Sequence, residues 1–230
     1  MKLYYDLHIH SCLSPCGDND MTPNNIVNMS LLKELDVIAL SDHNTAKNVL
    51  AVKQVAEQSD LLVIPAIEVC TNEEVHILCL FENFSACEAF GAYLYSLLPP
   101  IQNKPEIFGQ QIVMNALDEP VETLDKLLIN AANLSIDQLV NVLPDYQGFA
   151  VPAHIDRSSY SIISSLGFIP PDYQFSCVEV KKPPFSCDFT GNVITNSDAH
   201  YLEHISEREH YLEVTEKSIK GVLNAIKKLP

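Results

Sequence analysis

The sequence predicts an α/β fold in which short buried strands alternate with helices and close into one (β/α) barrel. Short apolar segments, such as 36–40 and 61–64, recur between stretches of helical character, which is the pattern of a parallel sheet. Polar residues follow these segments at their carboxyl ends, and a barrel gathers such ends on one functional face. The length of 230 residues is common for a single barrel, so residues 1–230 are expected to form one domain.

The first strand, predicted over 3–7, leads directly into His8 and His10. Residues two apart on an extended strand point to the same side, so both imidazoles, together with the Asp6 carboxylate, can face one point in space. This arrangement suits a metal ion. Two buried histidines satisfied by hydrogen bonds would give the same motif, so the motif alone leaves both alternatives open.

Six further strands and five helices complete the pattern. The strands are predicted at 36–40, 61–64, 75–81, 149–152, 177–180 and 192–195, with an edge strand at 211–214. The helices are predicted at 22–35, where Thr22 is the N-cap and Pro23 the first helical residue, and at 46–58, 135–143, 158–166 and 216–228. Residues 85–147 are expected to be mostly helical, and 86–133 is interpreted as a helical insertion in the barrel.

Most candidate site residues lie at the carboxyl ends of predicted strands. They are His8, His10, His43, Glu68, His154, Asp198 and His200, with His76 near the beginning of the fourth strand. Five of the eight histidines therefore fall on one predicted rim, an agreement that unrelated structural roles would not produce. The remaining two, His204 and His210, lie in a polar segment and are expected at the surface.

The mixture of imidazole and carboxylate ligands predicts two or three divalent transition-metal ions, namely Zn, Mn or Fe. A histidine-rich site disfavours Mg and Ca, which prefer oxygen ligands. The candidate ligands exceed the number that one ion needs, and a carboxylate such as Glu68 can bridge two ions. Clusters of this kind activate water and clamp the attacking and leaving oxygens of phosphoryl transfer.

The composition bounds the compartment and the partners. Hydrophobic residues make up 47% and charged residues 19%, an ordinary globular balance. No apolar segment approaches the roughly 20 residues that span a bilayer, and the seven scattered cysteines lack a Cys-x-x-Cys pair. A cytoplasmic protein without a membrane partner is therefore expected. The net charge of −16 would repel a nucleic-acid backbone, so long nucleic acid is not expected as a partner.

Six short motifs, taken together, resemble the ordered motifs of the polymerase and histidinol phosphatase (PHP) domain family. They are Asp-Leu-His-Ile-His at 6–10, Ser-Asp-His-Asn at 41–44, Ile-Glu-Val at 67–69, Glu-Val-His-Ile-Leu at 74–78, Pro-Ala-His at 152–154 and Ser-Asp-Ala-His at 197–200. The matches span nearly the whole chain in family order. The resemblance implies a distorted seven-stranded, TIM-like (β/α) barrel and a trinuclear metal centre that hydrolyses phosphoesters.

The resemblance also implies a division of the ligands among three ions. The first ion would be held by His8, His10, Glu68 and Asp198, the second by Glu68, His76 and His154, and the third in part by His43 and His200. The family normally supplies another third-site ligand, Asp or His, where this chain has Pro15 and Cys16. A Cys16 thiolate is preferred for that role, and Asp18 or Asp20 could replace it through a longer loop.

Two residues are assigned to the reaction rather than to metal ligation. Asp42, beside His43, is expected to orient a ligand or a metal-activated water. Arg157, three residues past His154, could bind phosphate oxygens, or it could be a surface arginine paired with Asp156. Lys181 and Lys182 end the sixth predicted strand, and one of them could assist, although solvated lysines are the simpler expectation.

The function expected from the sequence is metal-dependent hydrolysis of a small phosphorylated substrate, either a phosphomonoester or a nucleotide, by metal-activated water. Two alternatives remain open. One is a non-catalytic metal-binding module with a regulatory or structural role, and the other is an exonuclease that acts on short oligonucleotides. The sequence specifies neither the substrate nor the oligomeric state.

Overall fold

The computed structural model describes residues 1–227, which form ten strands and seven α-helices. The strands are β1 (Lys2–Ile9), β2 (Val37–Leu40), β3 (Leu62–Cys70), β4 (His76–Phe81), β5 (Ile112–Met114), β6 (Pro120–Thr123), β7 (Gly148–Pro152), β8 (Cys177–Val180), β9 (Asn192–Thr195) and β10 (Tyr211–Glu213). The helices are α1 (Pro23–Leu32), α2 (Val49–Ala56), α3 (Phe84–Leu97), α4 (Pro105–Phe108), α5 (Ile136–Val142), α6 (Ile162–Leu166) and α7 (Ile219–Lys227).

The seven strands predicted for the barrel are all present, but among residues 1–227 they are not paired as one closed sheet. A curled six-stranded sheet has the order β10-β1-β2-β3-β4-β7, and β8 pairs separately with β9. A bridge between Ile9 and Ala199 brings the chain after β9 beside the end of β1. The mixed α/β class is therefore confirmed, while the closed seven-stranded barrel is not seen in this pairing. The edge strand predicted at 211–214 is β10, antiparallel to β1.

The prediction of a wholly parallel sheet is wrong at β4. Strands β1, β2 and β3 are parallel, but β4 is antiparallel to both β3 and β7. Only residues 71–75 connect β3 to β4, and a connection this short can form a hairpin but cannot carry the crossover that a parallel pair needs. As a result, the beginning of β4 lies at the same rim as the ends of the parallel strands.

The helical insertion predicted at 86–133 is only partly helical. Helix α3 agrees with the prediction, but after the short α4 the chain forms an antiparallel hairpin from β5 and β6. Each hairpin strand carries β-branched residues, and the turn between them is closed by a hydrogen bond from Asn115 N to Glu119 O, 3.0 Å. The sequence does not predict this hairpin, because strands of three and four residues are too short to show a clear alternation of apolar and polar residues.

The predicted helices agree with the structure except at their ends. Thr22 caps α1 by accepting a hydrogen bond from Asn25 N, and Pro23 is the first helical residue. Helix α1 ends before Leu35 because Glu34 adopts a positive φ of 55° and turns the chain. Helix α6 is shorter than predicted because 158–161 form a loop, and the predicted end of the last helix at Lys228 lies outside the described residues.

Two hydrophobic clusters place the site at one end of the curled sheet. The inner cluster includes Leu3, Tyr5 and Leu7 of β1 and is closed below by α7, whereas the outer cluster packs α1, α2 and α3 against the sheet. The pairing of β1 with β2 shifts register between Asp6 and Ile9. A register shift of this kind changes the direction in which side chains point. It lies at the end of β1, where His8 and His10 follow the inward-facing Leu7. Within residues 1–227, no helix combines the length and apolar character needed to cross a membrane.

Candidate metal centre

The eight candidate ligands that sequence reasoning placed on or near one rim do meet in space. His8 and His10 come from β1 and the residue after it, His43 follows β2, Glu68 lies on β3, His154 follows β7, and Asp198 and His200 follow β9. His76 begins β4 and pairs with Cys70 at the end of β3. The antiparallel direction of β4 therefore explains why His76, which was irregular in the predicted pattern, belongs to the same rim.

Glu68 is the centre of this cluster. Its Oε1 lies 3.0 Å from His76 Nδ1 and 3.2 Å from both His8 Nε2 and His154 Nε2. Its Oε2 lies 3.0 Å from His43 Nδ1 and 3.4 Å from His10 Nε2. Five imidazoles thus face one fully buried carboxylate. A bridging role for Glu68, expected from the sequence, requires such an arrangement.

Two buried atoms of the cluster, His43 Nδ1 and Glu68 Oε2, face each other without forming a hydrogen bond. Among the described residues, the buried atoms without a hydrogen-bond partner include His43 Nδ1, Glu68 Oε2 and His154 Nδ1. His43 Nδ1 and Glu68 Oε2 are 3.0 Å apart and still make no hydrogen bond. Unsatisfied polar atoms are costly in a protein interior, so their convergence calls for a ligand that accepts lone pairs from both. A metal ion meets that need.

The spacing and chemistry of the donors fit transition-metal ions. Ligands about 2.0–2.1 Å from a tetrahedral zinc ion lie roughly 3.3 Å from one another. The distances around His10 and Asp198 are close to this value, at 3.1 Å from His8 Nε2 to His10 Nε2 and 3.3 Å from His10 Nε2 to Asp198 Oδ1. Three groups within residues 1–227 have ligand atoms mutually within 4.8 Å. These groups are His8/His10/Glu68/Asp198, His43/Glu68/His76 and His10/His43/His200.

Glu179 is a functional candidate that sequence reasoning missed. It lies on β8, is buried, and its Oε2 accepts a hydrogen bond from His8 Nδ1 at 2.9 Å. It also accepts from His154 N at 2.9 Å and from Asn196 Nδ2 at 2.7 Å. A carboxylate on the far nitrogen of a histidine fixes the tautomer that binds metal. The available signal was a single glutamate inside the apolar strand Cys-Val-Glu-Val.

Asp42 acts on the cluster through Ser14. The Ser14 hydroxyl lies 2.8 Å from Asp42 Oδ1 and 2.9 Å from His10 Nδ1, and Asp42 also accepts two hydrogen bonds from Ser11. Asp42 is buried and does not contact His10 directly. It holds the Ser14 hydroxyl, which in turn orients the His10 ring. Asp6, the other carboxylate near the first motif, accepts hydrogen bonds from Ser197 N and Ser206 N and so ties the loop after β9 to β1.

The place of the expected third ion contains Cys16. Cys16 is exposed as a residue, and partial desolvation of its thiol disfavours the thiolate. The charge of His43 and hydrogen bonds with His200 and His43 outweigh this effect and lower the pKa of Cys16 to about 5. A thiolate beside two imidazoles is a chemically suitable zinc ligand. The three groups defined above include neither Cys16 nor Asp18, and Asp18 Oδ1 instead accepts a hydrogen bond from Asp20 N.

Two cations face Asp198 at the mouth of the cluster. Asp198 Oδ2 accepts hydrogen bonds from Arg157 Nη1 at 2.8 Å and Lys181 Nζ at 3.2 Å. Asp156 instead accepts from the backbone N of Lys181 and Lys182, so the alternative pairing of Arg157 with Asp156 is not the one found. The Arg157 side chain remains 47% exposed and can reach a ligand outside the cluster.

The buried charges shift one another strongly. Burial disfavours the protonated His8, but the charges of Glu179, Glu68 and Asp198 outweigh it and hold the pKa of His8 well above its usual value. Burial likewise opposes ionisation of Glu68, but the charges of His76, His8 and His43 hold its pKa well below the usual range. For His76, burial dominates and lowers the pKa to about 4.

The chain resembles known proteins in sequence over part of its length and in structure over nearly all of it. No family model matches the chain. The 5'-3' exoribonuclease Rnm of Salmonella typhimurium is 32% identical over 81 residues, which are 33% of this chain and 27% of that protein. The chain thus spans about a quarter of the length of this curated relative.

Solved structures share the fold at low sequence identity. The lesion-specific endonuclease EndoQ of Pyrococcus furiosus matches 99% of this chain and 56% of its own, with a TM-score of 0.65 and 17% identity. Endonuclease Q in complex with a 27-mer duplex substrate matches with a TM-score of 0.61 and 16% identity, over 99% of this chain and 57% of its own. A putative metal-dependent phosphoesterase of Bifidobacterium adolescentis matches 86% of this chain and 87% of its own, with a TM-score of 0.57 and 17% identity.

The exclusion of long nucleic acid, drawn from the net charge of −16, is wrong. A structure with the same fold holds a 27-mer duplex, and the sequence relative is an exoribonuclease. The net charge misled because it does not say where the carboxylates lie. Five acidic side chains are buried at or near the rim cluster, where histidines or hydrogen bonds compensate them: Asp6, Asp42, Glu68, Glu179 and Asp198.

Proposed function

We propose, from the PHP-type fold that the chain has, that it is a metal-dependent hydrolase of phosphoric esters that acts on nucleic acid. The motifs and the fold support the class of reaction. The endonuclease and the exoribonuclease among the similar proteins support a phosphodiester of a polynucleotide as the substrate. This chain covers 27% of the exoribonuclease and 56% of the endonuclease. Transfer of their activity on nucleic acid to this chain is therefore part of the proposal.

The observation that carries the proposal is the convergence of five imidazoles on the Glu68 carboxylate, with His43 Nδ1 and Glu68 Oε2 buried and unsatisfied. One ion would be held by His8, His10, Glu68 and Asp198. A second ion would be held by Glu68, His76 and His154. His43 and His200, with Cys16, would hold a third. Divalent ions bound by these ligands supply Lewis acid chemistry at phosphorus and lower the pKa of water.

The side chains at the mouth of the cluster would position the substrate. Arg157 and Lys181 both reach Asp198 Oδ2, so their charges lie next to the place where a phosphate must approach the ligands. The planar guanidinium of Arg157 can bind two phosphate oxygens at once, and Lys181 adds a point charge. Both cations can leave the Asp198 oxygen for the phosphate, because both side chains are partly exposed.

The residues behind the ligands would keep the site ordered. Glu179 fixes the ring of His8, and Ser14, held by Asp42, fixes the ring of His10. These contacts leave the Nε2 atoms of both rings facing Glu68 and Asp198. Ligands held in one orientation by hydrogen bonds bind metal more tightly and exclude non-productive geometries.

The test is cleavage of end-labelled oligonucleotides by the protein reconstituted separately with Mn, Zn and Fe. Single-stranded RNA, single-stranded DNA and a duplex are compared, with the double variant His8→Ala, His10→Ala as control. We expect the wild type to cleave at least one polynucleotide and the variant to cleave none. If the metal-loaded wild type binds oligonucleotides but cleaves none of the three, the non-catalytic module is the better description.

A further inference from the structure

Tyr160 lies against the edge of the metal centre. Its ring stacks on His76 with centroids 4.9 Å apart and an interplanar angle of 29°, and its carbonyl accepts a hydrogen bond from His76 N at 3.0 Å. Tyr160 is nevertheless 46% exposed. One part of the ring is therefore fixed on a candidate ligand, while much of its aromatic surface remains available to a molecule from solvent.

The backbone of Tyr160 is held in an uncommon conformation. Its φ is 55°, in the left-handed region that bulky side chains rarely adopt, and two other residues on the same side of the rim, Glu74 and His154, have φ values of 56° and 31°. A large exposed ring in this conformation needs support from its surroundings, which the contacts with His76 provide. The ring is thus pre-positioned beside the ligands.

A cleft opens beside Tyr160. Its volume is about 310 Å³, and it is lined by Tyr160, Glu74, Ser158, Ser159, Ser164 and Ser165. The serine hydroxyls can donate and accept hydrogen bonds, and the Glu74 carboxylate can only accept them when ionised. This lining suits the amino groups, ring nitrogens and hydroxyls of a nucleoside, and the Glu74 charge disfavours a phosphate in the cleft.

Arg157, on the same loop, lies three residues before Tyr160 and binds Asp198 of the metal cluster. The loop therefore presents a cation at the ligands and an aromatic ring at the cleft. A nucleotide has the same two features, since its phosphate is anionic and its base is a flat π-system. Arg157 is therefore complementary to the phosphate of a nucleotide, and the Tyr160 ring is complementary to its base.

We infer that Tyr160 and the cleft beside it form a nucleoside subsite, in which a base of the substrate stacks on the Tyr160 ring while its phosphate lies toward Arg157 and the metal ligands. This inference rests on the proposed function and adds to it the residue that recognises the base. Stacking on an aromatic ring tolerates every base, because every base has a π-face. The subsite would therefore favour nucleotides over other phosphoesters without selecting a sequence.

The test compares two ligands that share a phosphate and a sugar and differ only in the base, adenosine 5'-phosphate and ribose 5-phosphate. Their dissociation constants for the metal-loaded protein are measured by calorimetric titration. The base should improve binding roughly 5- to 150-fold, as stacking on an aromatic residue typically does. Tyr160→Leu, which keeps an apolar side chain without a π-face, should bring this ratio close to one, and Tyr160→Phe should preserve it.

Equal affinity of the wild type for the two ligands would overturn the inference, as would a base preference that survives in Tyr160→Leu. A metal content of Tyr160→Leu equal to that of the wild type serves as the control that the metal centre is intact. The outcome is separate from that of the proposed function, because cleavage of oligonucleotides by the wild type is measured independently. A hydrolase without base preference would leave the proposed function standing and remove the subsite.

Discussion

Glu179 and His8 are joined by a buried hydrogen bond of 2.9 Å between Glu179 Oε2 and His8 Nδ1. The bond connects β8, which lies outside the six-stranded sheet, to the first histidine motif at the end of β1. Glu179 also accepts hydrogen bonds from His154 N and Asn196 Nδ2, so one carboxylate links three segments that surround the candidate metal ligands. The geometry of the centre therefore depends on a residue that is not itself a candidate ligand.

The first prediction concerns this carboxylate. Glu179→Gln should weaken metal binding about 10- to 100-fold, because outer partners of ligating histidines contribute this much to affinity. The readout is a metal titration of the chelated protein, with circular dichroism as a check on the fold. Glu213→Gln, an exposed glutamate on β10, is the matched control and should bind metal like the wild type. Equal affinities of the two variants would contradict the role assigned to Glu179.

The second prediction concerns the relay from Asp42 through Ser14 to His10. Ser14→Ala removes the hydroxyl that lies 2.9 Å from His10 Nδ1 and should lower metal affinity about 10-fold while the ligands themselves remain. Asp42→Asn should have a similar effect, because it changes the group that holds Ser14. If the two effects are simply additive in the double variant, the relay is wrong, since members of one hydrogen-bond network are expected to be coupled.

The third prediction concerns Cys16. With Co²⁺ bound, a Cys16 thiolate ligand should give a sulfur-to-metal absorption band, and Cys16→Ala should abolish that band and reduce the bound metal by about one ion per chain. Cys16→Asp should lose the band but restore the ion, because a carboxylate is the kind of ligand that the related motif carries. Cys187→Ala, another free cysteine, is the control. A band that persists in Cys16→Ala would assign it to a different thiol.

The fourth prediction concerns pH. The raised pKa of His8 contributes stability that is complete below its unfolded value of 6.5 and is lost as pH rises through the folded pKa. The lowered pKa of Glu68 contributes stability that is complete above its unfolded value of 4.5 and is lost as pH falls through the folded pKa. The melting temperature of the chelated protein should therefore fall as pH rises above about 6.5 toward the folded pKa of His8.

Metal should reverse this slope, because imidazole ligands bind metal only when deprotonated and affinity then rises with pH. The measurement is thermal unfolding of the chelated and metal-loaded protein at matched pH values. Parallel curves for the two forms would mean that the histidines and the metal do not compete for the same atoms.

The fifth prediction concerns Arg157. Arg157→Ala should raise the KM for an oligonucleotide about 10-fold and reduce the slope of log affinity against log salt by about one, as expected for one phosphate contact. Arg208→Ala is the matched control, because Arg208 is the other arginine of the chain and lies over the Tyr4 ring, bonded to Glu34 O. Equal salt slopes for the two variants would remove Arg157 from phosphate binding.

The strands, and the placement of the candidate ligands on one rim, could be predicted from the sequence because both have local signals. Apolar segments followed by His or Asp can be read without knowing the pairing of strands. The direction of β4 could not be read as easily, although the short link at 71–75 was a clue. The hairpin of β5 and β6 was missed because its strands are too short for a clear period.

The residues that support the ligands were harder to predict. Glu179 and Ser14 carry no motif, and their roles depend on contacts 171 and 4 residues away in the chain, respectively. Tyr160 looked like part of a helix, and only its stacking on His76 shows its place at the centre. Net charge was a poor guide to partners because it counts buried and exposed carboxylates alike.

The measurement that tests the central claim most directly is the metal content of purified wild type and of the variant His8→Ala, His10→Ala, with cleavage of a labelled oligonucleotide measured on the same samples. The account predicts two or three ions per chain and cleavage for the wild type. It predicts loss of cleavage and of at least one ion for the variant. A variant that keeps both the metal content and the cleavage activity would contradict the assignment of this cluster as the catalytic metal centre.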